Sequence, residues 1–111
     1  MRLRILFAFL FAFPALAATV TGTVRSNENA ALQGMTVVAY DTSGIARANA
    51  TTDVSGHYTL TVNAGSYRVL AYDANGNFAT SFFDNAESFD TSTVVNVQTS
   101  FTANFTLARA G

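Results

Sequence analysis

The single histidine of the chain decides whether the sequence could support hydrolytic catalysis. Serine and aspartate are abundant, so a Ser-His-Asp arrangement is formally available, but no Gly-x-Ser-x-Gly context is present. His57 alternates with apolar Tyr58 and Leu60, which puts it on the opposite face of a strand, towards solvent. We therefore expect no catalytic residue and no enzymatic activity.

A second candidate chemistry is metal binding. Asp73, Asn75 and Asn77 carry oxygen ligands at alternate positions, as a calcium loop would. Such a loop needs glycine at its sixth position and glutamate at its twelfth, where this chain has Phe78 and Asp84. The pattern is typical instead of a turn built on Asn-Gly. With one histidine and no cysteine, the sequence predicts no transition-metal site and no cofactor.

Aromatic residues form the third candidate site. Phe78, Phe82, Phe83 and Phe89 surround an irregular segment, 84–92. Because side chains alternate along a strand, Phe82 and Phe83 cannot both face the core unless the strand is covered or ends there. A ring left exposed among hydroxyl and amide side chains could stack on a sugar. The alternative is that these rings close one end of the core.

The beginning of the chain has the features of an export leader. Arg2 and Arg4 precede an apolar run, Ile5–Phe13, and the small-x-small pattern recognised by signal peptidase follows at 15–17. The run is shorter than the roughly 20 apolar residues that span a bilayer. We predict a signal peptide at 1–17 and an exported domain at 18–111, periplasmic or extracellular, with no stable membrane span. An uncleaved anchor is the alternative.

Composition limits the possible partners of the exported part. Without Arg2 and Arg4, four arginines stand against seven acidic residues, a formal charge of −3, and lysine is absent. Nucleic acids and anionic lipids are bound by clustered basic residues, so neither is an expected ligand. The absence of cysteine means that one small domain must be held by its core without disulfides.

Alternation with a period of two recurs along the exported part, interrupted by Gly, Asn and Asp. It predicts seven to eight short strands and an all-β, antiparallel Greek-key sandwich. The predicted strands are 19–26, 35–41, 45–52, 57–62, 66–73, 78–83, 93–98 and 101–108.

Two of these strands carry further expectations. The strand at 66–73 is apolar on both faces and should be central. The strand at 45–52 is more polar and should lie at an edge, where no Lys or Pro guards it against pairing with another chain. Gly65 should permit a tight hairpin that pairs the strand of Tyr58 with the strand of Tyr67.

Five segments, in order, carry a resemblance to a known family. They are Val20-Thr-Gly-Thr-Val24, Leu32-Gln-Gly-Met-Thr-Val37, Thr52-Asp-Val-Ser-Gly-His-Tyr-Thr-Leu60, Ala64-Gly-Ser-Tyr-Arg-Val69 and the last third with Phe82-Phe-Asp84, Val95-Asn-Val97 and Asn104-Phe-Thr-Leu107. Together they resemble the carboxypeptidase regulatory-like domain. The resemblance implies a transthyretin-like (prealbumin-like) seven-stranded sandwich and a non-catalytic module.

The sequence thus predicts an exported, non-enzymatic module with a structural, docking or adhesive role. Its partner would be an envelope or extracellular protein or a polysaccharide, and a homodimer formed by edge-strand pairing is a physical option. The alternative function is a small carbohydrate-binding protein that uses the aromatic residues around 78–89.

Overall fold

Strand β1 (Ala17–Ser26) lies in the middle of the first of two sheets. The computed structural model describes residues 16–110, so all of the predicted leader except its last two residues lies outside the described residues. On one side β1 pairs antiparallel with β4 (His57–Asn63). On the other side it pairs in parallel with β8 (Ser100–Thr102) and then with β9 (Phe105–Leu107).

The second sheet has the strand order β3-β2-β5-β6, with β7 also paired to β5. Strand β5 has partners on both sides and is central, as predicted, and β3 is at an edge, as predicted. The bounds of these strands are β2 Thr36–Asp41, β3 Ala46–Thr51, β5 Gly65–Tyr72, β6 Ser81–Phe82 and β7 Val95–Val97.

The core lies between the two sheets and follows the alternation of the sequence. Tyr58, Leu60 and Val62 of β4 are buried, and His57 on the other face is exposed, as predicted. Both sheets contribute fully buried side chains, so the all-β sandwich with one core is confirmed. The largest fully buried side chains are Leu60, Leu107, Val20, Val24, Val37, Val69 and Val97.

A close backbone contact joins β1, β4 and the β8–β9 segment. The Ala103 carbonyl oxygen lies where a Cβ of Gly22 would be, at 1.9 Å from that ideal position. The Tyr58 hydroxyl donates to the same oxygen at 2.5 Å. Burial raises the pKa of Tyr58, so the hydroxyl stays protonated and remains a donor. Next to it, the Asn104 side chain accepts a hydrogen bond from the Thr23 amide at 2.9 Å.

The predicted hairpin at Gly65 is wrong. Strand β4 pairs with β1 and β5 pairs with β2, so the chain crosses between the sheets at Ala64. The connection between β4 and β5 is as short as predicted, but Tyr58 and Tyr67 lie in different sheets. A short connection keeps the ends of two strands close together, but it does not determine which strands they pair with.

Three other strand predictions need correction. The predicted strand 78–83 is reduced to Ser81–Phe82, because a 3-10 turn, Phe83–Asn85, ends it. The predicted strand 101–108 is two strands: the Ala103 amide still donates to the Thr21 carbonyl, but at the next residue the Asn104 side chain takes the place of a backbone acceptor. The described residues therefore form nine strands, and the pairing of β1 with β8 and β9 is parallel where an antiparallel sheet was expected. The Greek-key connectivity stays a prediction.

The contact at Gly22 predicts a large difference between two glycine substitutions. Gly22→Ala would put a methyl group into the Ala103 carbonyl and should lower the free energy of unfolding by about 2 kcal/mol or more, the upper range for overpacking. Gly65→Ala is the control, because its Cβ would meet nothing nearer than 3.7 Å and should change stability by less than about 1 kcal/mol. Urea unfolding followed by circular dichroism measures both, and equal effects would contradict the contact.

Candidate functional site

The four phenylalanines of the predicted aromatic site are all half-buried, and they do not form one cluster. The Phe83 ring packs edge-on against Phe101 and Phe105, with centroids 5.7 and 6.1 Å apart, and so extends the main core. The Phe82 ring packs edge-on against Phe89 at 6.1 Å. Phe78 lies apart from these rings, beneath the guanidinium of Arg109 at 5.1 Å.

Adjacent Phe82 and Phe83 are both half-buried because the strand ends between them. Phe82 is the last residue of β6, and the backbone turns sharply at Asp84 and Asn85, whose φ values are 72° and 61°. Asn and Asp tolerate this left-handed conformation better than most residues. The turn sends one ring into the core and the other to the outer face of the second sheet.

Residues 84–92, called the strap below, cross that outer face. Phe89 of the strap contacts Tyr40 edge-on at 6.1 Å and lies under the Arg68 guanidinium at 5.0 Å. Arg68 also donates through Nη1 to the carbonyl oxygens of Phe89, at 3.0 Å, and Ser92. These contacts cover Val38 and Leu70, which are buried although they face away from the main core.

The calcium-like pattern is a turn. The Asp73 carboxylate accepts the amide of Asn75 through one oxygen at 2.9 Å and the amide of Asn77 through the other at 3.0 Å. Both oxygens therefore cap the backbone. Within residues 16–110 no group of three or more His, Cys, Asp or Glu side chains lies close enough together to hold a metal ion.

His57 is the first residue of β4. Its side chain is exposed, and its backbone amide donates to the Asp53 carboxylate at 2.9 Å. This hydrogen bond is the main reason that the pKa of Asp53 lies below its usual value. The pair closes the turn before β4.

The edge strands β3 and β4, one from each sheet, lie next to each other on one side of the sandwich. In the described part of the chain, β3 pairs with β2 alone and β4 pairs with β1 alone, and these two strands are neighbours across the sheets. The inward side chains of β3 are alanines, of which Ala48 and Ala50 are half-buried against the core. We call the unpaired side of β3, Ala46–Thr51, the open edge.

The backbone of β3 directs alternate amides to the open edge. The Thr52 amide donates to the Met35 carbonyl at 2.9 Å, so alternate residues before it, Ala50 and Ala48, also face β2. The amides of Thr51 and Asn49 therefore point away from the sheet, whereas a bulge in the pairing with β2 leaves Arg47 without a partner and interrupts the alternation there.

A cleft lies at one end of this side. It has a volume of about 540 Å³ and is open to solvent, with walls from β1, β2, β3, β4 and β5. Asp41 and Arg47 form an ion pair of 2.8 Å in its wall. The Ile45 amide is the main cause that lowers the pKa of Asp41, and Arg47 adds to it. Ile45 leaves 52% of its surface exposed beside the pair.

Comparison with known proteins identifies the family. The model of the carboxypeptidase regulatory-like domain matches residues 19–108, and the chain belongs to this family, as its sequence motifs predicted. No curated protein matches the sequence.

Solved structures share the fold at low sequence identity. The TIE protein of Bacillus anthracis superposes with a TM-score of 0.65 at 12% identity, over 85% of this chain and 18% of that one. A DUF3823 family protein of Parabacteroides merdae superposes with a TM-score of 0.57 at 18% identity, over 87% of this chain and 47% of that one. The chain thus spans less than half the length of either protein.

Sequence reasoning identified β3 as an unguarded edge and placed His57 on the outside. It missed Arg68, which organises the strap from the middle of the central strand. An arginine among the apolar residues of β5 was the signal that could have found it, because a charge that is even partly removed from water needs partners. No helix of the described residues is long and apolar enough to cross a membrane.

The Arg68 contacts predict that this one side chain holds the strap. Arg68→Lys should free the strap, because one ammonium group cannot reproduce the planar contact with Phe89 and the two carbonyl bonds. We expect cleavage by chymotrypsin at Phe89 to become at least about fivefold faster, while the unfolding midpoint changes little.

Arg47→Lys serves as the control, because Arg47 is exposed and lies in the cleft wall. Equal cleavage rates at Phe89 in both variants and the unchanged protein would show that Arg68 does not hold the strap.

Proposed function

We propose that this chain is an exported, non-catalytic module that docks to a protein partner by accepting an extended strand at the open edge of β3. The observation that carries the proposal is the length and exposure of that edge. Within residues 16–110, the six residues of β3 pair with β2 on one side and with no strand on the other. Each of these residues is exposed or half-buried.

The open edge has the chemistry that strand addition requires. The outward amides and carbonyls of Asn49 and Thr51, on the side of the bulge where the alternation is regular, can form hydrogen bonds to an added strand. Each backbone hydrogen bond contributes about 0.5–1.5 kcal/mol net, so several together can support a complex.

The side chains of β3 favour a partner with apolar residues at alternate positions. Ala48 and Ala50 are small, and a strand added beside them would place every second side chain over the same apolar layer. The exposed Ile45 adds an apolar contact at the end of the edge, next to the cleft. The ion pair of Asp41 and Arg47 leaves the edge without an unbalanced charge.

A location outside the cytoplasm fits the same picture. The predicted leader at 1–17 would export the domain, and an envelope or extracellular partner would meet the open edge there. The fold without disulfides holds through its core and through the contact of Ala103 with Gly22 and Tyr58.

The proposal predicts that a proline in the open edge stops docking. In Asn49→Pro the outward amide is lost and the ring blocks an added strand, while the bonds from β3 to β2 remain. Asn49→Ala is the matched control, because it keeps the amide. With a photo-crosslinking residue at Thr51, the full chain should capture a protein from the host envelope, and crosslinkers at Thr106, on β9, should not.

The captured protein is then purified and its Kd measured by calorimetry. We expect Asn49→Pro to raise Kd by at least about tenfold, or 1.4 kcal/mol, and Asn49→Ala to leave it within about threefold. The same Kd for all three proteins would refute strand addition. Retention on a polysaccharide, lost on Phe82→Ala or Phe83→Ala in a folded protein, would assign the function to carbohydrate binding instead.

A further inference from the structure

The predicted site of leader removal lies inside a strand of the folded domain. Ala17 pairs with Asn63, and Ala18 pairs with Val62 in the ladder of β1 and β4. The Ala18 side chain is 1% exposed and belongs to the core. One residue earlier, the Leu16 carbonyl accepts the amide of Ala64 at 2.8 Å.

A peptidase cannot bind this stretch while the domain is folded. Proteolysis of a native protein requires a segment of chain around the bond to be extended and free of other partners. Here the residues on both sides of the bond are held by β4, and from Thr19 onwards also by the β8 side, where its amide donates to Thr99. Access to the bond would pull Ala18 and Val20 out of the core.

We propose that folding closes the cleavage site, so that signal peptidase can remove the leader only before β1 joins the sheet. The reaction is hydrolysis of the Ala17–Ala18 peptide bond: one water is consumed, Ala17 gains a carboxylate and Ala18 gains an ammonium group. The proposal rests on the predicted leader and is independent of the open edge.

Either order of events leaves a folded domain. A chain cut after Ala17 loses the hydrogen bond from Ala64 to Leu16 but keeps Ala18, Val20 and Val24 in the core. A chain that folds first keeps the whole leader. The competition between folding and cleavage then sets how much protein is released.

The uncut form would be held at the membrane surface. Three residues, 14–16, separate the apolar run that ends at Phe13 from the start of β1 at Ala17. Three residues reach about 11 Å at most, so an uncut leader would leave little length of chain between its apolar run and β1. The rate of folding relative to the rate of cleavage would therefore decide what fraction of the protein is released and what fraction stays at the membrane.

The test compares cleavage of the full chain by purified signal peptidase in detergent. The unchanged, folded protein is compared with Val69→Asp, which puts a charge into the core of the other sheet and unfolds the domain without touching the recognition residues. Circular dichroism verifies the state of each. We expect cleavage after Ala17, identified by mass spectrometry, to be at least about tenfold slower in the folded protein.

A second variant separates the buried bond from other effects of folding. Eight residues of Gly and Ser, ending in an alanine, are inserted between Ala18 and Thr19, so that the new alanine replaces Ala18 in β1 and the bond lies outside the sheet. This folded variant should be cut about as fast as the unfolded chain.

Three results would overturn the proposal. The first is an equal rate of cleavage in the folded and unfolded proteins. The second is resistance of the folded insertion variant to cleavage. The third is that none of the proteins is cut after Ala17. Docking by strand addition would survive each of these results, because it depends on the open edge and not on cleavage after Ala17.

Discussion

The role of each strand in this sandwich depends on whether its backbone hydrogen bonds are made on one side or on both sides. Strand β1 finds partners on both sides, with β4 on one and with β8 and β9 on the other, whereas β3 and β4 have a partner on one side within residues 16–110. A buried amide without a partner costs about 1–3 kcal/mol, so the enclosed strand is fixed in place. An exposed edge can be satisfied by water or by another chain, and for that reason it can bind.

The enclosure of β1 depends on one close approach. Gly22 lets the Ala103 carbonyl come near enough for Tyr58 to donate to it, which ties β1, β4 and the segment between β8 and β9 at one point. The same enclosure buries Ala18 at the start of β1. A rigid centre, an open edge and a closed cleavage site are thus consequences of a single pattern of pairing.

The sequence predicted the parts of the fold that depend on alternation. The buried faces of β4 and β5, the exposed His57 and the edge position of β3 all follow from which residues are apolar. Pairing partners depend on distant contacts and were predicted less well. Asn63-Ala-Gly65 has the residues of a hairpin and yet crosses between sheets, and the parallel pairing of β8 depends on Gly22, eighty residues away.

The most direct test is amide-resolved hydrogen exchange by NMR, at a concentration where light scattering gives a monomer. The amides of Ala48 and Ala50 should be protected by β2, whereas those of Asn49 and Thr51 should exchange almost as fast as in an unfolded chain, because they point into water. Uniform protection along β3 in the monomer would mean that the edge is covered, and the account of a docking edge would be wrong.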